Sequence, residues 1–245
     1  MSDGLLLVHA FPVDARMWDD QVSTFEGSVP VVAPHLPGFG GTPDAGEVTT
    51  MSAAARRCLE AMDGAGLDRA VVCGLSMGGY VSFAIRELAP ERVVGLVLAN
   101  TRAEADPPEG AAGRRALAER LRSEGSDFLV AEPPPLLRED APQGLRERVR
   151  SMIADQPAGA IAAVALGMAE RPDRTGELAS IDVPTLVVTS DGDRLIPPAV
   201  SAPMASAIPG AALLTIPGAG HLSNLEAPDA FNEGLAGLLA RCALV

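Results

Sequence analysis

Imidazole is scarce in this chain: His9, His35 and His221 are the three histidines among 245 residues, so any histidine chemistry falls on very few candidates. Thiols are as few. Cys58, Cys73 and Cys242 are odd in number, far apart and outside any C-x-x-C spacing, which argues against a disulfide framework or a thiolate metal site. A reducing, cytoplasmic setting is the expectation. One tryptophan, one tyrosine and six phenylalanines leave few stacking walls, so an aliphatic ligand is a better expectation than a large flat one. Positive charge is also short. Nineteen Lys and Arg face 32 Asp and Glu, a formal charge of −13, which repels phosphate backbones and anionic lipid surfaces. Neither nucleic acid nor a membrane is an expected partner. No apolar run approaches the roughly 18 residues that a membrane helix needs, and the first residues lack the basic leader and apolar length of a signal peptide.

What the chain does have is core material, with 47% hydrophobic residues, ample for an α/β domain. Short apolar runs bounded by Gly, Pro or Asp at 5–9, 29–33, 70–73, 93–98, 185–189 and 212–216 read as strands buried on both faces of a parallel sheet. Helical spacing fills the intervals at 17–25, 51–63, 77–88, 200–207 and 227–239. The alternation implies right-handed βαβ crossovers and a doubly wound, mostly parallel α/β fold. It breaks once. Between Asn100 and Ile181 helical patterns at 109–124, 144–154 and 158–169 run without a convincing strand, with Pro133-Pro134-Pro135 as a rigid connector. Residues 1–100 and 181–245 are therefore expected to form the core, and 101–180 a helical cap inserted over one end of the sheet.

The stretch Cys73-Gly-Leu-Ser-Met-Gly-Gly-Tyr80 sets Ser76 in a G-x-S-x-G pattern between an expected strand and an expected helix. At such a turn the pattern holds a serine out on a strained backbone, with glycines where neighbours leave no room for a side chain. A serine hydroxyl needs a base within hydrogen-bond reach and a third group to orient that base. His221 is the expected base, because Pro217-Gly-Ala-Gly-His-Leu222 follows the last strand, at the end where parallel strands open on a crevice. The acid belongs between Ser76 and His221 if the order is Ser, acid, His. Ser190-Asp-Gly-Asp-Arg194 supplies two candidates; Asp193, deeper in the loop, is favoured, and Asp191 is better placed to cap the turn. A developing oxyanion also needs N–H donors. Met77 offers one at a helix start and Phe11 another in His9-Ala-Phe-Pro12, where Pro12 has none to give. His9 and His35 then read as loop structure.

Taken in order, "LLLVHAFPVDARMW", "APHLPGFGGT", "GLSMGG", "PTLVVTSDGDRLIP" and "GAGHLSNLEAPDAF" resemble successive landmarks of the α/β-hydrolase family, from Leu5 to Phe231. Within it they most resemble the 3-oxoadipate enol-lactonase and small carboxylesterase branch. The resemblance implies Ser76 as nucleophile, Asp193 as acid, His221 as base, and Phe11 and Met77 as oxyanion donors. The chain departs from the family's pattern at Ala10, where members usually have glycine, at His35, where Asp is common, and at Asn100, where some members place an acid. Being an amide, Asn100 leaves that role to Asp193. The family's antiparallel hairpin before the first strand is expected to be missing, since four residues precede Leu5. The strand at 29–33 then becomes an edge, and edges invite pairing. A homodimer through this edge, or the N-terminal residues, is expected to cover it.

The expected reaction is hydrolysis of a small aliphatic ester or lactone, for which no metal or organic cofactor is needed. Its pocket is expected from Phe11, Met77, Leu195, Ile196 and Leu222 of the core loops and Phe128, Leu136, Met152 and Met168 of the insertion, with Arg102 a candidate for a substrate carboxylate. Two other readings use the same residues or fold: a cofactor-free perhydrolase, and a non-catalytic ligand-binding receptor.

Overall fold

The computed structural model describes residues 2–43 and 46–245. In chain order its strands are β1 (Asp3–Val8), β2 (Val31–Val32), β3 (Arg69–Leu75), β4 (Val93–Ala99), β5 (Thr185–Ser190) and β6 (Ala212–Ile216). They form one sheet ordered β2-β1-β3-β4-β5-β6, and every pairing is parallel. Val8 lies opposite Gly74 and Leu75 opposite Ala99, so the C-terminal ends of β1, β3 and β4 finish together. Leu5, Leu6, Leu7, Val71, Val72, Val97 and Leu98 are wholly buried, as strands covered on both faces require. Each such side chain contributes about 1.5–3 kcal/mol by leaving water.

The helices are α1 (Asp19–Phe25), α2 (Met51–Gly64), α3 (Met77–Leu88), α4 (Pro108–Glu124), α5 (Asp127–Ala131), α6 (Gln143–Ala154), α7 (Ala158–Ala169), α8 (Pro198–Ala207), α9 (Ser223–Glu226) and α10 (Pro228–Arg241). Helices α4 to α7 occupy the chain between β4 and β5, and no described residue there is in a strand. At five residues, α5 is too short for its apolar spacing to distinguish it from a loop. No single helix among the described residues is long and apolar enough to cross a membrane.

Two sequence expectations are corrected. The strand expected at 29–33 contracts to Val31–Val32 because Pro30 and Pro34 flank it and supply no N–H to a ladder. It does lie at the edge of the sheet, but the described N-terminal residues do not cover it. Ser2 turns the other way, where its N–H donates to Asp68 at 2.7 Å and its carbonyl accepts the Asp68 N–H at 2.9 Å. Met1 lies outside the described residues.

Candidate active site

β3 ends at Leu75 and α3 begins at Met77, so Ser76 alone makes the turn. Its φ of 56° and ψ of −114° put a residue bearing a Cβ where the backbone pays about 1–3 kcal/mol. Its surroundings enforce that geometry. The Ser76 N–H donates to the Ala99 carbonyl at 2.8 Å, and its carbonyl accepts the Gly79 N–H at 2.9 Å and the Thr101 hydroxyl at 2.7 Å. Clearance explains the glycines. A Cβ on Gly74 would stand 2.1 Å from the Gly78 carbonyl oxygen, and one on Gly78 2.1 Å from that of Val8. Ser76 also holds the N-cap position of α3, where a serine commonly bonds a helix N–H, yet its side chain makes no such bond. Thr50 at the same position of α2 does, through the Ala53 N–H at 3.1 Å.

His221 Nδ1 lies 2.8 Å from Asp193 Oδ2. A carboxylate only accepts, so the proton of the neutral ring sits on Nδ1 and Nε2 is left as an acceptor. Asp193 is held in turn by the Leu195 and Ile196 N–H groups, both at 2.9 Å, and by Asn100 Nδ2 at 3.0 Å. Burial is the largest influence on its pKa and pushes it up. The His221 hydrogen bond and charge, the Ile196 N–H and Asn100 together outweigh it, and the pKa falls below its ordinary value. Asp191 does something else: its carboxylate accepts the Gly218 N–H at 2.6 Å and ties two loops together. No hydrogen bond joins Ser76 Oγ to His221 among the described residues, but both line one cavity of about 240 Å³. Such contacts commonly tighten when substrate binds.

Phe11 lines the same cavity, just beyond β1. Among the described residues neither its N–H nor that of Met77 is spent in a hydrogen bond, and Met77 opens a helix whose first N–H groups have no partner within it. His9 braces this loop, with Nδ1 3.0 Å from the Ala10 carbonyl and Nε2 accepting the Leu36 N–H at 3.1 Å. Burial lowers its pKa to about 4, so it is neutral at neutral pH. His35 packs its ring against Gly40, where a Cβ would overlap it.

Of the expected pocket residues, Leu136, Met168, Leu195, Ile196 and Arg102 line the cavity with Ser76, His221 and Phe11. Four others do not, and the first, Met77, has its side chain wholly buried behind the turn. Phe128 faces a separate surface groove and carries the Arg120 guanidinium 3.7 Å above its ring. Met152 is turned into the core with Val149 and Ile153 of the same helix stripe. Leu222 is wholly buried beneath the insertion, its N–H donating to the Leu136 carbonyl at 2.9 Å.

The alpha/beta hydrolase family model matches residues 5–233. The chain belongs to the alpha/beta hydrolase family. Among solved structures it is similar to a thermophilic esterase from Thermogutta terrifontis with malate bound, at 39% identity and a TM-score of 0.94, covering 99% of this chain and 92% of that one. Its curated relatives include 3-oxoadipate enol-lactonase 1 of Acinetobacter baylyi, 26% identical over 97% of this chain and 89% of the relative. The dihydrolipoyllysine-residue acetyltransferase component of the acetoin cleaving system of Pseudomonas putida is 28% identical over 97% of this chain, which spans 63% of that protein.

Three features of this alpha/beta hydrolase went unread in the sequence. Asn100, at φ 44° just past β4, donates to Asp193 and to Ser190 Oγ at 2.7 Å and accepts the Ser223 hydroxyl at 2.6 Å. Its place after a strand was visible, but its hydrogen bond to Asp193 depends on a loop about ninety residues away. Asp106 pairs with Arg171 at 2.9 Å and with Arg114, while Arg171 lies 4.0 Å over the Tyr80 ring. Burial pushes the Asp106 pKa up, yet the hydrogen bonds and charges of Arg171 and Arg114 outweigh it and carry it below its ordinary value. Glu226 accepts the Arg138 N–H at 2.9 Å and the Gly220 N–H at 2.6 Å, which fastens the His221 loop to the insertion.

Proposed function

We propose that this alpha/beta hydrolase cleaves small aliphatic carboxylic esters or lactones through an acyl-enzyme on Ser76. His221 Nε2 takes the Ser76 proton as the oxygen attacks the carbonyl carbon, and the Phe11 and Met77 N–H groups stabilise the oxyanion. Asp193 keeps the imidazole in the required tautomer and stabilises its transient positive charge. His221 then gives its proton to the leaving alkoxide and activates the water that frees the acid. The observation that carries this reading is the Ser76 hydroxyl, uncommitted at a helix N-cap and lining one cavity with an imidazole bonded to a carboxylate.

A cavity of about 240 Å³ is small beside the roughly 300–1,000 Å³ of drug-sized ligand sites, which supports a short acyl group. The esterase and enol-lactonase among its relatives support ester or lactone bonds. The test is a panel of p-nitrophenyl esters of rising chain length with simple and acidic lactones, run against Ser76→Ala as blank. Turnover of the short esters well above the blank is the expected result. If no ester or lactone is cleaved faster than by the blank, the reading is wrong; peroxide-dependent halogenation as the main activity would favour the perhydrolase instead.

A further inference from the structure

A second chamber of about 260 Å³ lies beyond Tyr80 and Arg102, two residues that also line the Ser76 cavity. Phe83 and Ala84 of α3, Met51 and Ser52 of α2, and Pro172 after α7 form much of its wall, and neither Ser76 nor His221 reaches it. Ester cleavage as derived above makes no use of this space. It has its own chemistry.

Four arginines line the two chambers: Arg102, Arg114, Arg171 and Arg174. Three are matched by carboxylates, Arg114 and Arg171 by Asp106, and Arg174 by Glu87 and Glu177. Arg102 is the exception. Among the described residues it enters no ion pair, its Nη2 reaches only the Leu195 carbonyl at 3.4 Å, and its Nε is buried without a hydrogen-bond partner. A buried donor without a partner is rare in a native protein and calls for an explanation. A guanidinium is also the side chain whose planar fork best fits a carboxylate. The walls of the second chamber are mostly apolar, and Glu170 is the one acidic residue on them.

We propose that this second chamber binds an aliphatic monocarboxylate, its acid group on Arg102 and its chain against Met51, Phe83, Ala84 and Pro172. An apolar cavity of about 150 Å³ suffices for the six carbons of benzene, so about 260 Å³ takes a chain of about six carbons with its carboxylate. Occupancy neutralises the unmatched cation on the wall of the Ser76 cavity. The site rests on this chamber and on Arg102, not on the chemistry of Ser76.

The test is calorimetric titration of hexanoate into Ser76→Ala, a protein in which ester chemistry plays no part. Expected is one saturable site with a Kd of about 1 mM or tighter, with hexan-1-ol binding at least about tenfold more weakly. Adding Arg102→Gln should weaken hexanoate about tenfold or more. Ser52→Trp fills the second chamber without touching the Ser76 cavity and should abolish binding; Ser52→Leu, a smaller change to the fold, should weaken it, with circular dichroism confirming that each variant is folded. Absence of saturable binding overturns the proposal, as does hexanol binding equally well. Hexanoate binding that survives both Ser52 substitutions would place the acid in the Ser76 cavity and overturn it too.

Discussion

Around His221 the partners sit at or just beyond the ends of strands: Asp193 after β5, Asn100 after β4, Ser190 closing β5. Around Asp106 the partners are long side chains on helices or helix ends, Arg114 on α4 and Arg171 after α7. The first cluster inherits its geometry from the parallel register, since strands that finish together deliver their loops to one place. The second depends on how far each helix of the insertion is rotated and where its flexible arginines settle. On the proposed reading, the chemistry is thus set by the backbone, and the substrate's surroundings by packing. That division predicts that substitutions in the first cluster lower kcat and those in the second raise KM.

The sharpest way to break the comparison is Asp193→Asn, which keeps the shape and removes the acceptor that fixes the His221 tautomer. A fall in kcat of about 10⁴ is expected from the equivalent change in other triads; a change confined to KM would dissolve the distinction. Next comes Gly78→Ala, whose Cβ would meet the Val8 carbonyl oxygen at 2.1 Å, a backbone atom that cannot swing aside. Urea unfolding should show a loss of about 3 kcal/mol, the upper range for overpacking.

His9 supports the same loop through its neutral ring, and its pKa of about 4 lies below its ordinary 6.5. Between those values the unfolded chain holds a proton that the folded one refuses. Its contribution is therefore intact above about pH 6.5 and drains away as pH falls towards 4, by on the order of 3 kcal/mol. Denaturant titrations at several pH values check this, and His9→Gln should flatten the slope in that window. In the insertion, Asp106→Asn leaves two guanidiniums facing a neutral amide. A loss of about 2–3 kcal/mol is expected, below that of a fully buried pair because the Arg114 side chain is 24% exposed. Steady-state kinetics should show KM raised with kcat within about threefold. Gly113→Ala, on α4 with nothing within 4 Å of the added Cβ, should raise stability by no more than about 1 kcal/mol, a measure of how freely the insertion accepts change away from the cavity.

The same division explains what could be read from the sequence. Strands declare themselves by apolar runs, and Ser76, Asp193 and His221 by their places in strand-end loops, so their convergence follows once the sheet is parallel. A pattern of apolar residues predicts a longer β2 than Val31–Val32 because it does not register two missing N–H groups at Pro30 and Pro34. Within the insertion, Met168 and Leu136 meet the cavity while Met152 and Phe128 do not. Periodicity gives a helix its buried stripe but not which neighbour that stripe meets. Asn100 is the intermediate case, a strand-end residue whose position was legible and whose partners, Asp193, Ser190 and Ser223, were not.

Whether Ser76 carries the acyl group is decided by rapid mixing of the wild-type protein with p-nitrophenyl acetate followed by acid quench and peptide mass analysis. The account predicts an acetyl adduct on the peptide containing Ser76, together with a fall of about 10⁶ in kcat for Ser76→Ala. Turnover close to wild type in Ser76→Ala, or an adduct found on another residue, would contradict it.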